Sequence, residues 1–361
     1  METTSPGTSQ RASEDSRRKA FVARAVFLAG LAASPALAQF QTGDVLAGVG
    51  AGKIKRFNPS GTLLQTIDSA TTSGETAGMC FDASRNLFGT LFTISQVAKY
   101  DGNGTLLTNT FGGSFSNPES CLVDTAGNIF VGQAGSNQIR KMNQAGTLLA
   151  NFTVAIGPRG TDWIDLASDQ CTVHYTSEGN VIKQFNVCTN TQLTDFATAL
   201  PSSPCYAHRI RPNGEELVAC SSMVHRVSSA GTILQSYPGS ALTPPTSALF
   251  ALNLDPDGAS FWTGDINSGQ VYRINIGSGA QVSSWNAGIV GRSMAGLTVV
   301  GEIVVAQPTP TPTPGATPTP TPPIGLSMPV PTVSRPGLLL LAGLLALAAL
   351  VLIRTGGGRS G

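Results

Sequence analysis

The stretch QIRKMNQAGTLLA, from Gln138 to Ala150, is one of six related copies along this chain. Each copy places basic and apolar residues before Asn, Asp or Ser and a short spacer, and most copies then have Gly-Thr-Leu-Leu or a close variant. The other five copies are KIKRFNPSGTLLQ from Lys53, QVAKYDGNGTLLT from Gln96, VIKQFNVCTNTQL from Val181, MVHRVSSAGTILQ from Met223 and QVYRINIGSGAQV from Gln270. Self-similarity at a period of about 42 residues is typical of a repeat architecture.

A second phrase precedes each copy from the second copy onward, as in AGMCFDASRNLFGT from Ala77 and FALNLDPDGASFWTG from Phe250. It consists of an apolar run, a turn rich in Asp, Gly, Asn or Pro, and another apolar run, which predicts a β-hairpin. Each repeat therefore supplies four short strands, and no helical period interrupts them. The predicted fold class is all-β, a six-bladed β-propeller of four-stranded blades over residues 39–307.

The two ends of the repeat array complement each other. The first copy begins one strand late, at Gly43, and the segment MAGLTVVGEIVVA from Met294 supplies one spare strand. Pairing of residues 295–300 with the N-terminal strands would close the ring by strand exchange and leave no open edge. Too few residues follow this segment to build a seventh blade.

The stretch SCLVDTAGNIFVGQAGSNQIRK, from Ser120 to Lys141, resembles the NHL pattern of Val-Asp, Gly-Asn, apolar-Val and Asn-x-Ile. Over nearly all of residues 39–307 the chain resembles the NHL and gluconolactonase-like group of six-bladed propellers. That resemblance implies a fold more than an activity, because sites are grafted independently onto common folds. Asp82, Asp124 and Asp255 end three inner strands, and we interpret them as turn-stabilising residues.

Ligand sites in propellers usually lie in the central channel or on the loops of one rim. Two positions before the turn, the inner strands of blades four to six carry Asp165, Arg209 and Asn253 at one level. These residues predict either a polar ligand site near the axis or an internal ion pair with a hydrogen-bonding neighbour. The second interpretation follows because a buried charge needs a partner to be tolerated.

The resemblance to gluconolactonase-like enzymes implies a divalent cation held by carboxylate and amide oxygens, which suits calcium. The candidate metal ligands at the strand entrances are Glu75, Glu119 and Asp162, with Asn117 close by, and Glu119 and Asp162 are the two that we predict. No Asn-Asp pairing occurs in the matching blade positions, and acids at strand entrances are often solvated. Calcium therefore belongs only to the enzymatic alternative, and otherwise the sequence predicts no cofactor.

Catalysis of the streptogramin-lyase type would need a histidine general base, and the three histidines are His174, His208 and His225. We interpret each as packed or hydrogen-bonded. No phosphate loop, nucleophile elbow or zinc-binding His-Glu signature occurs, so no catalytic residue is predicted. The sequence favours an extracytoplasmic binding or surface scaffold protein with an unknown partner. The alternative is a metal-dependent lactonase-like or lyase-like enzyme.

Charge excludes one class of partner. Only 12% of the residues are charged and the formal net charge is +1. A nucleic-acid binder needs a clustered basic face, and the sequence offers none. We therefore expect no nucleic-acid partner.

Residues 1–38 have the features of a signal peptide, with basic residues, a short apolar run and Ala36-Leu37-Ala38 before Gln39. Export places the six cysteines in an oxidising compartment, where disulfides form. The pairs Cys171 with Cys188 and Cys205 with Cys220 each flank a turn signal symmetrically.

Each of these two pairs therefore predicts a disulfide across a hairpin, and buried free thiols are the alternative. The remaining cysteines, Cys80 and Cys121, show no Cys or His spacing typical of a zinc site. Sequence alone leaves their pairing open.

Beyond the predicted propeller, residues 308–329 are rich in Thr and Pro and predict a semi-rigid polyproline stalk. Residues 330–361 begin with VPTVSRPG, which resembles the Ile-Pro-Thr-Leu-Ser-x-Trp-Gly motif of IPTL-type bacterial sorting signals. The positions that match this motif are Pro331, Thr332, Ser334 and Gly337, whereas Pro336 stands where the motif has Trp. The resemblance implies an exosortase-like protease as a partner.

An apolar run of 17 residues, 337–353, predicts a C-terminal transmembrane helix. Arg354 and Arg359 follow it, which favours a cytoplasmic C-terminus and an external propeller. The helix is either removed during sorting or retained as an anchor. In both cases the sequence predicts an exported protein of the cell envelope or cell surface, membrane-anchored at least transiently.

Overall fold

The computed structural model describes residues 39–290 and 293–303. The predicted signal peptide, stalk, sorting motif and apolar run 337–353 lie outside these residues. Within the part that the structure describes, no helix is both long enough and apolar enough to cross a membrane.

In the described ranges, six four-stranded antiparallel sheets form the blades of a propeller, as the sequence predicts. The strands of each blade follow one another from the inner strand at the axis to the outer strand. Blade 1 contains β24 (Gly296–Val299), β1 (Val45–Gly50), β2 (Lys53–Phe57) and β3 (Leu63–Asp68). Blade 2 contains β4 (Thr76–Phe81), β5 (Leu87–Leu91), β6 (Gln96–Tyr100) and β7 (Leu106–Thr108). Blade 3 contains β8 (Pro118–Val123), β9 (Ile129–Gln133), β10 (Gln138–Met142) and β11 (Leu148–Thr153).

The other three blades follow the same order in the chain. Blade 4 contains β12 (Ile164–Leu166), β13 (Thr172–Tyr175), β14 (Lys183–Asn186) and β15 (Thr191–Gln192). Blade 5 contains β16 (His208–Ile210), β17 (Glu216–Cys220), β18 (Met223–Val227) and β19 (Ile233–Pro238). Blade 6 contains β20 (Leu249–Leu254), β21 (Ser260–Asp265), β22 (Gln270–Asn275) and β23 (Gln281–Asn286). Two short 3₁₀ turns lie at Phe92–Ile94 and Gly239–Ala241.

The repeated Asn-x-x-Gly phrase forms the hairpin between the third and outer strands. In blade 3, the Asn143 side-chain oxygen accepts the N–H groups of Ala145 and Thr147 at 3.0 and 2.9 Å. Gly146 adopts φ of +82°, a left-handed conformation that favours glycine, and its N–H bonds the Asn143 carbonyl. The period seen in the sequence is therefore the recurrence of one turn, whose geometry needs these residue types.

The ring closes by strand exchange, as predicted. Strand β24 pairs antiparallel with β1, from Val45 opposite Val299 to Gly48 opposite Gly296. A β-carbon on Gly296 would lie 1.9 Å from the Ala77 carbonyl oxygen of the neighbouring blade. The closing strand therefore needs a glycine where two inner strands approach each other.

Three disulfides are present in the described residues. The pairs Cys171–Cys188 and Cys205–Cys220 confirm the two predicted bridges. The third, Cys80–Cys121, joins the inner strands β4 and β8 with a Cα–Cα distance of 5.7 Å. Its partners belong to different blades, so no local turn signal could have identified them.

The turn role of the inner-strand aspartates is also confirmed. Asp82 Oδ1 accepts the N–H groups of Ser84 and Asn86, both at 2.9 Å. The equivalent oxygens of Asp124 and Asp255 accept backbone N–H groups in the same way. These carboxylates fix the hairpins at the end of the ring where the inner strands finish.

Candidate functional site

The two ends of the ring differ in chemistry. We name the end where the inner strands begin the entrance face, and the end where they finish the exit face. The sequence predicts a polar ligand site near the axis, whose residues lie toward the exit face, and metal ligands at the strand entrances, which lie at the entrance face.

At the exit face, the predicted residues Arg209 and Asn253 both bind Glu302, which follows the closing strand β24. Arg209 Nε donates to Glu302 Oε1 at 3.0 Å, and Asn253 Nδ2 donates to Oε2 at 2.7 Å. The Leu254 N–H also donates to Oε1, at 2.7 Å. Burial raises the pKa of Glu302 above its ordinary value, while the Arg209 charge opposes that shift. Glu302 thus fastens the end of the ring to blades 5 and 6.

The third predicted residue, Asp165, is held separately. Its Oδ2 accepts the Ile210 N–H at 2.7 Å, and its Oδ1 accepts the Leu166 N–H at 2.9 Å. Asp165, Arg209 and Glu302 line an exit-face cavity of about 390 Å³, whereas Asn253 does not. Internal bonds thus occupy most of the polar atoms that the sequence assigned to a ligand, whereas Asn253 Oδ1 is buried with no hydrogen-bond partner among the described residues. A ligand role for these residues stays a prediction.

At the entrance face, Glu119, Asp162 and Glu178 form a cluster that we call the entrance cluster. One carboxylate oxygen of each lies within 4.8 Å of the others. Glu119 belongs to β8 of blade 3, Asp162 precedes β12 of blade 4, and Glu178 follows β13. The structure therefore brings the two predicted metal ligands together and adds a third carboxylate.

Local backbone features aim these side chains at one another. The β8–β9 register shifts between Pro118 and Ser120, so Glu119 occupies a bulge, a feature that re-aims side chains. The Asp162 N–H donates to the Thr176 carbonyl oxygen at 3.1 Å, and the Asp162 carbonyl oxygen accepts a hydrogen bond from the Ser120 hydroxyl at 2.7 Å. Glu178 adopts φ of +51° in the loop after β13.

Two members of the entrance cluster are buried without hydrogen-bond donors. Glu119 is 3% exposed and Asp162 is 0% exposed. Among the described residues, Glu119 Oε2 and both Asp162 carboxylate oxygens have no hydrogen-bond partner. Removing a carboxylate from water costs on the order of several kcal/mol unless a cation or donors compensate it. Either a bound cation or a proton on one of the two carboxyl groups must therefore compensate these oxygens.

Burial also changes how these carboxyl groups ionise. Burial raises the pKa of Glu119 well above its ordinary value, and the Asp162 charge raises it further. Burial raises the pKa of Asp162 to about 6, against the opposing effect of the neighbouring Glu119 carboxyl. Without a bound cation, a proton on Glu119 relieves the repulsion within the pair.

One basic side chain, Arg159, faces the cluster. Its NH1 forms a short ion pair with Glu178 Oε1, and its guanidinium carbon lies 5.2 Å from the Phe92 ring centroid. Burial opposes the charge of Arg159, but Glu119 and Glu178 raise its pKa above the ordinary value. Among the described residues, the three carboxylates thus face one arginine, which leaves the cluster with more acidic than basic groups.

The donor set fits a hard divalent cation. Calcium takes six to eight oxygen ligands, and carboxylates bind it in one-oxygen or two-oxygen modes. The entrance cluster offers carboxylate oxygens and neither imidazole nor thiolate, which argues against zinc. Two buried, unpartnered carboxylates and a third nearby would hold calcium, with water completing its shell.

The other residues considered at sequence level have different partners. Glu75 Oε1 accepts the Ser293 hydroxyl at 2.8 Å, and Asn117 Nδ2 donates to the Phe92 carbonyl at 3.3 Å. These contacts hold loops of the entrance face in place.

The three histidines are hydrogen-bonded, as we interpreted them from the sequence. His174 Nδ1 forms a short contact with Glu216 Oε1, and His208 Nδ1 lies 3.1 Å from Glu216 Oε2. His225 bonds the hydroxyls of Ser236 and Ser202. Their hydrogen bonds go to these partners and not to the carboxylates of the entrance cluster.

Repeat-equivalent residues surround the entrance cluster. The position that opens the inner-strand phrase is Ala77, Glu119, Asp162, Tyr206, Phe250 and Ala295 in successive blades. Tyr206 and Phe250 are in contact, with ring centroids 4.4 Å apart and ring planes tilted by 40°. Acids therefore occupy this position in two adjacent blades and aromatic residues in the next two.

The comparisons with known proteins agree with the fold. No family model and no curated protein matches this sequence. A structure of the nidogen/laminin complex matches with TM-score 0.56 and 14% identity, covering 73% of this chain and 100% of that chain. A protein of unknown function from Bacteroides caccae matches with TM-score 0.56 and 14% identity, covering 71% and 98%. The WD40 β-propeller domain of Doa1 matches with TM-score 0.53 and 13% identity, covering 72% and 83%. At these identities the likeness shows the propeller fold alone.

Proposed function

We propose that this protein is an exported, cell-envelope binding propeller whose ligand site is the entrance face, with a divalent cation of the calcium class in the entrance cluster. The observation that carries the proposal is the burial of unpartnered oxygens on Glu119 and Asp162 within 4.8 Å of Glu178. Isolated buried charge destabilises a fold, so a compensating cation accounts for two acids at this place.

The aromatic half of the entrance face supports a binding role. Tyr206 is partly exposed and packs against Phe250, next to the acidic half. Aromatic side chains beside a few polar groups are typical of ligand sites. The cation would supply a fixed positive charge at the centre of this surface.

Calorimetric titration of the purified chain with calcium, magnesium and zinc tests the cation site. We expect one equivalent of calcium to bind and to raise the melting temperature, since a ligand of the native state stabilises it. The paired variants Glu119→Gln and Asp162→Asn should abolish this calcium-dependent shift. Asp257→Asn is the matched control, because Asp257 is a half-exposed turn carboxylate of blade 6.

Absence of calcium binding by a correctly folded wild-type chain would overturn the cation site. Binding that survives both substitutions in the cluster would place the cation elsewhere. Preference for zinc over calcium would contradict the oxygen-only donor set.

The second candidate function is a metal-dependent lactonase-like or lyase-like enzyme, and the fit of the entrance cluster to a cation favours keeping it. Its weakness is the general base, because both ring nitrogens of His174 and of His225 have partners. His208 bonds Glu216 through Nδ1 and is fully buried, so its unpartnered Nε2 is not exposed to a substrate. A lactone panel assayed with and without calcium separates the two functions. Calcium-dependent hydrolysis that is lost in Glu119→Gln would favour the enzyme.

Export and sorting complete the proposal. Three disulfides support an oxidising compartment outside the cytoplasm. An exosortase-like protease would act at residues 330–337, whose sequence VPTVSRPG carries the motif resemblance. Mass spectrometry of the mature C-terminus tests this step. Peptides beyond residue 337 in surface-exposed protein would show that the helix is retained.

A further inference from the structure

The proposed cation site already contains a positive charge of its own. We propose that Arg159 is a resident counter-cation, which a divalent cation displaces from Glu178. This inference rests on the proposed function, because it describes how the entrance cluster exchanges one cation for another.

The backbone around Arg159 is fixed, so the exchange involves its side chain alone. The Arg159 N–H donates to Ser177 O at 3.2 Å, and the Gly160 N–H donates to Ala134 O at 3.0 Å. A β-carbon on Gly160 would lie 2.2 Å from Ser136 O, so this loop packs tightly against blade 3. The Arg159 backbone therefore stays beside the entrance cluster whether or not its guanidinium bonds Glu178.

Charge decides which cation the cluster holds. Arg159 forms its ion pair with Glu178, whereas Glu119 Oε2 and both Asp162 carboxylate oxygens have no hydrogen-bond partner among the described residues. A divalent cation bound by all three carboxylates would lie next to the guanidinium on the same Glu178 carboxylate. Repulsion between the divalent cation and the guanidinium opposes this arrangement, and a partly exposed ion pair resists that repulsion only weakly.

Arg159 has a place to go when it leaves Glu178. Its side chain is 36% exposed, so water can solvate the released guanidinium. Its guanidinium carbon already lies 5.2 Å from the Phe92 ring centroid while Arg159 bonds Glu178, so this cation–π contact does not depend on the ion pair and can be kept on release. Release of Arg159 therefore has a small free-energy cost. Once the cation has bound, the released guanidinium lies at the entrance face without its bond to Glu178.

The first test compares calcium affinity in matched arginine variants. Arg159→Gln should bind calcium about tenfold more tightly than the wild type, within the range usual for coupled sites. The control is Arg140→Gln, because Arg140 also lies over an aromatic ring, Phe115, at 4.5 Å. Arg140 donates to the backbone carbonyl of Ser114 at 2.7 Å, so its removal should leave calcium affinity unchanged.

The second test uses the unmodified chain, so it does not depend on folding of a variant. Phenylglyoxal labelling of Arg159, followed by peptide mass spectrometry, should increase when calcium is added, while labelling of Arg140 stays constant. Equal or weaker calcium binding by Arg159→Gln, or unchanged labelling, would overturn this inference and leave the cation site intact. Failure of the wild type to bind calcium would overturn the cation site and this exchange with it.

Discussion

Replacement of Glu302 by alanine should loosen the closed ring more than any other single change at the exit face. Glu302 follows the closing strand β24 and accepts three hydrogen bonds from blades 5 and 6. Two of these donors, Arg209 and Asn253, are buried at 8% and 0% exposure. Alanine at this position leaves all three donors without their acceptor.

The magnitude follows from the types of bond that are lost. A hydrogen bond to a charged group contributes about 1.5–3 kcal/mol, and breaking one partner of a buried pair costs about 3–5 kcal/mol. The Glu302 side chain is 14% exposed, so water will compensate part of the loss. We therefore expect Glu302→Ala to lower the free energy of unfolding by about 3 kcal/mol, which corresponds to a melting-temperature decrease of roughly 6–12 °C.

Urea unfolding and hydrogen exchange of the β1–β24 pair measure this effect. Glu302→Gln should lose about half as much as alanine, because its amide oxygen still accepts the Leu254 N–H. The control is Glu75→Ala, which removes a single side-chain hydrogen bond, from the Ser293 hydroxyl of the closing segment to the Glu75 carboxylate. A loss in Glu302→Ala that stays within about 1 kcal/mol of this control would refute the fastening role.

Two further predictions concern the inter-blade contacts. Serine at both Cys80 and Cys121 should lower the free energy of unfolding by roughly 4 kcal/mol, as loop-closure entropy gives for partners 41 residues apart, measured by urea unfolding. Burial lowers the pKa of His174, but the neighbouring Glu216 carboxylate outweighs burial and raises this pKa above 6.5. Burial raises the pKa of Glu216, but His174 and His208 outweigh burial and lower this pKa to about 2. This pair should stabilise the fold most between pH 4.5 and 6.5. The stabilisation should decrease at higher pH as His174 loses its proton, and at lower pH as Glu216 becomes protonated toward pH 2. Urea unfolding at a series of pH values measures both decreases.

Matched variants decide both predictions. Loss of the Cys171–Cys188 bridge, whose partners are 17 residues apart, should cost less than loss of the inter-blade bridge. The reverse order would contradict the loop-entropy account. Glu216→Gln should remove the decline in stability above pH 6.5, whereas Glu215→Gln should keep it, because the neighbouring Glu215 bonds arginines and no histidine. An unchanged decline in Glu216→Gln would contradict the assignment to His174.

The fold was predictable because its determinants are local. The hydrogen bonds of the Asn143-x-x-Gly146 turn and its equivalents are made within the turn itself, so the sequence of each repeat is enough to predict its hairpin. The closing strand was predictable from counting, since β1 lacks a partner that only residues 295–300 can supply. The Cys80–Cys121 bridge was not predictable, because its geometry depends on how two separate blades pack.

The polar residues near the exit face show the limit of arguments from register. Asp165, Arg209 and Asn253 share one level of the inner strands, as counting indicated, but their partners come from elsewhere. Glu302 binds two of them from a segment with no repeat equivalent, and Asp165 bonds the backbone of the next blade. Strand register predicts which inner-strand residues are neighbours around the ring. It does not predict their ion-pair partners, which can come from segments outside the repeats.

The entrance cluster was partly visible as a break in the repeat. The residue that opens the inner-strand phrase is small or aromatic in four blades, but it is Glu119 in blade 3 and Asp162 in blade 4. A turn residue recurs because every blade needs it, whereas an acid buried in only two adjacent blades serves no turn. The free-energy cost of burying such an acid must be offset by an interaction found only in those blades. Departures from local sequence rules therefore often indicate functional sites. Glu178 gave no such signal, since its Glu-Gly-Asn stretch satisfies an ordinary turn and only the packing of blade 4 against blade 3 brings its carboxylate to the cluster.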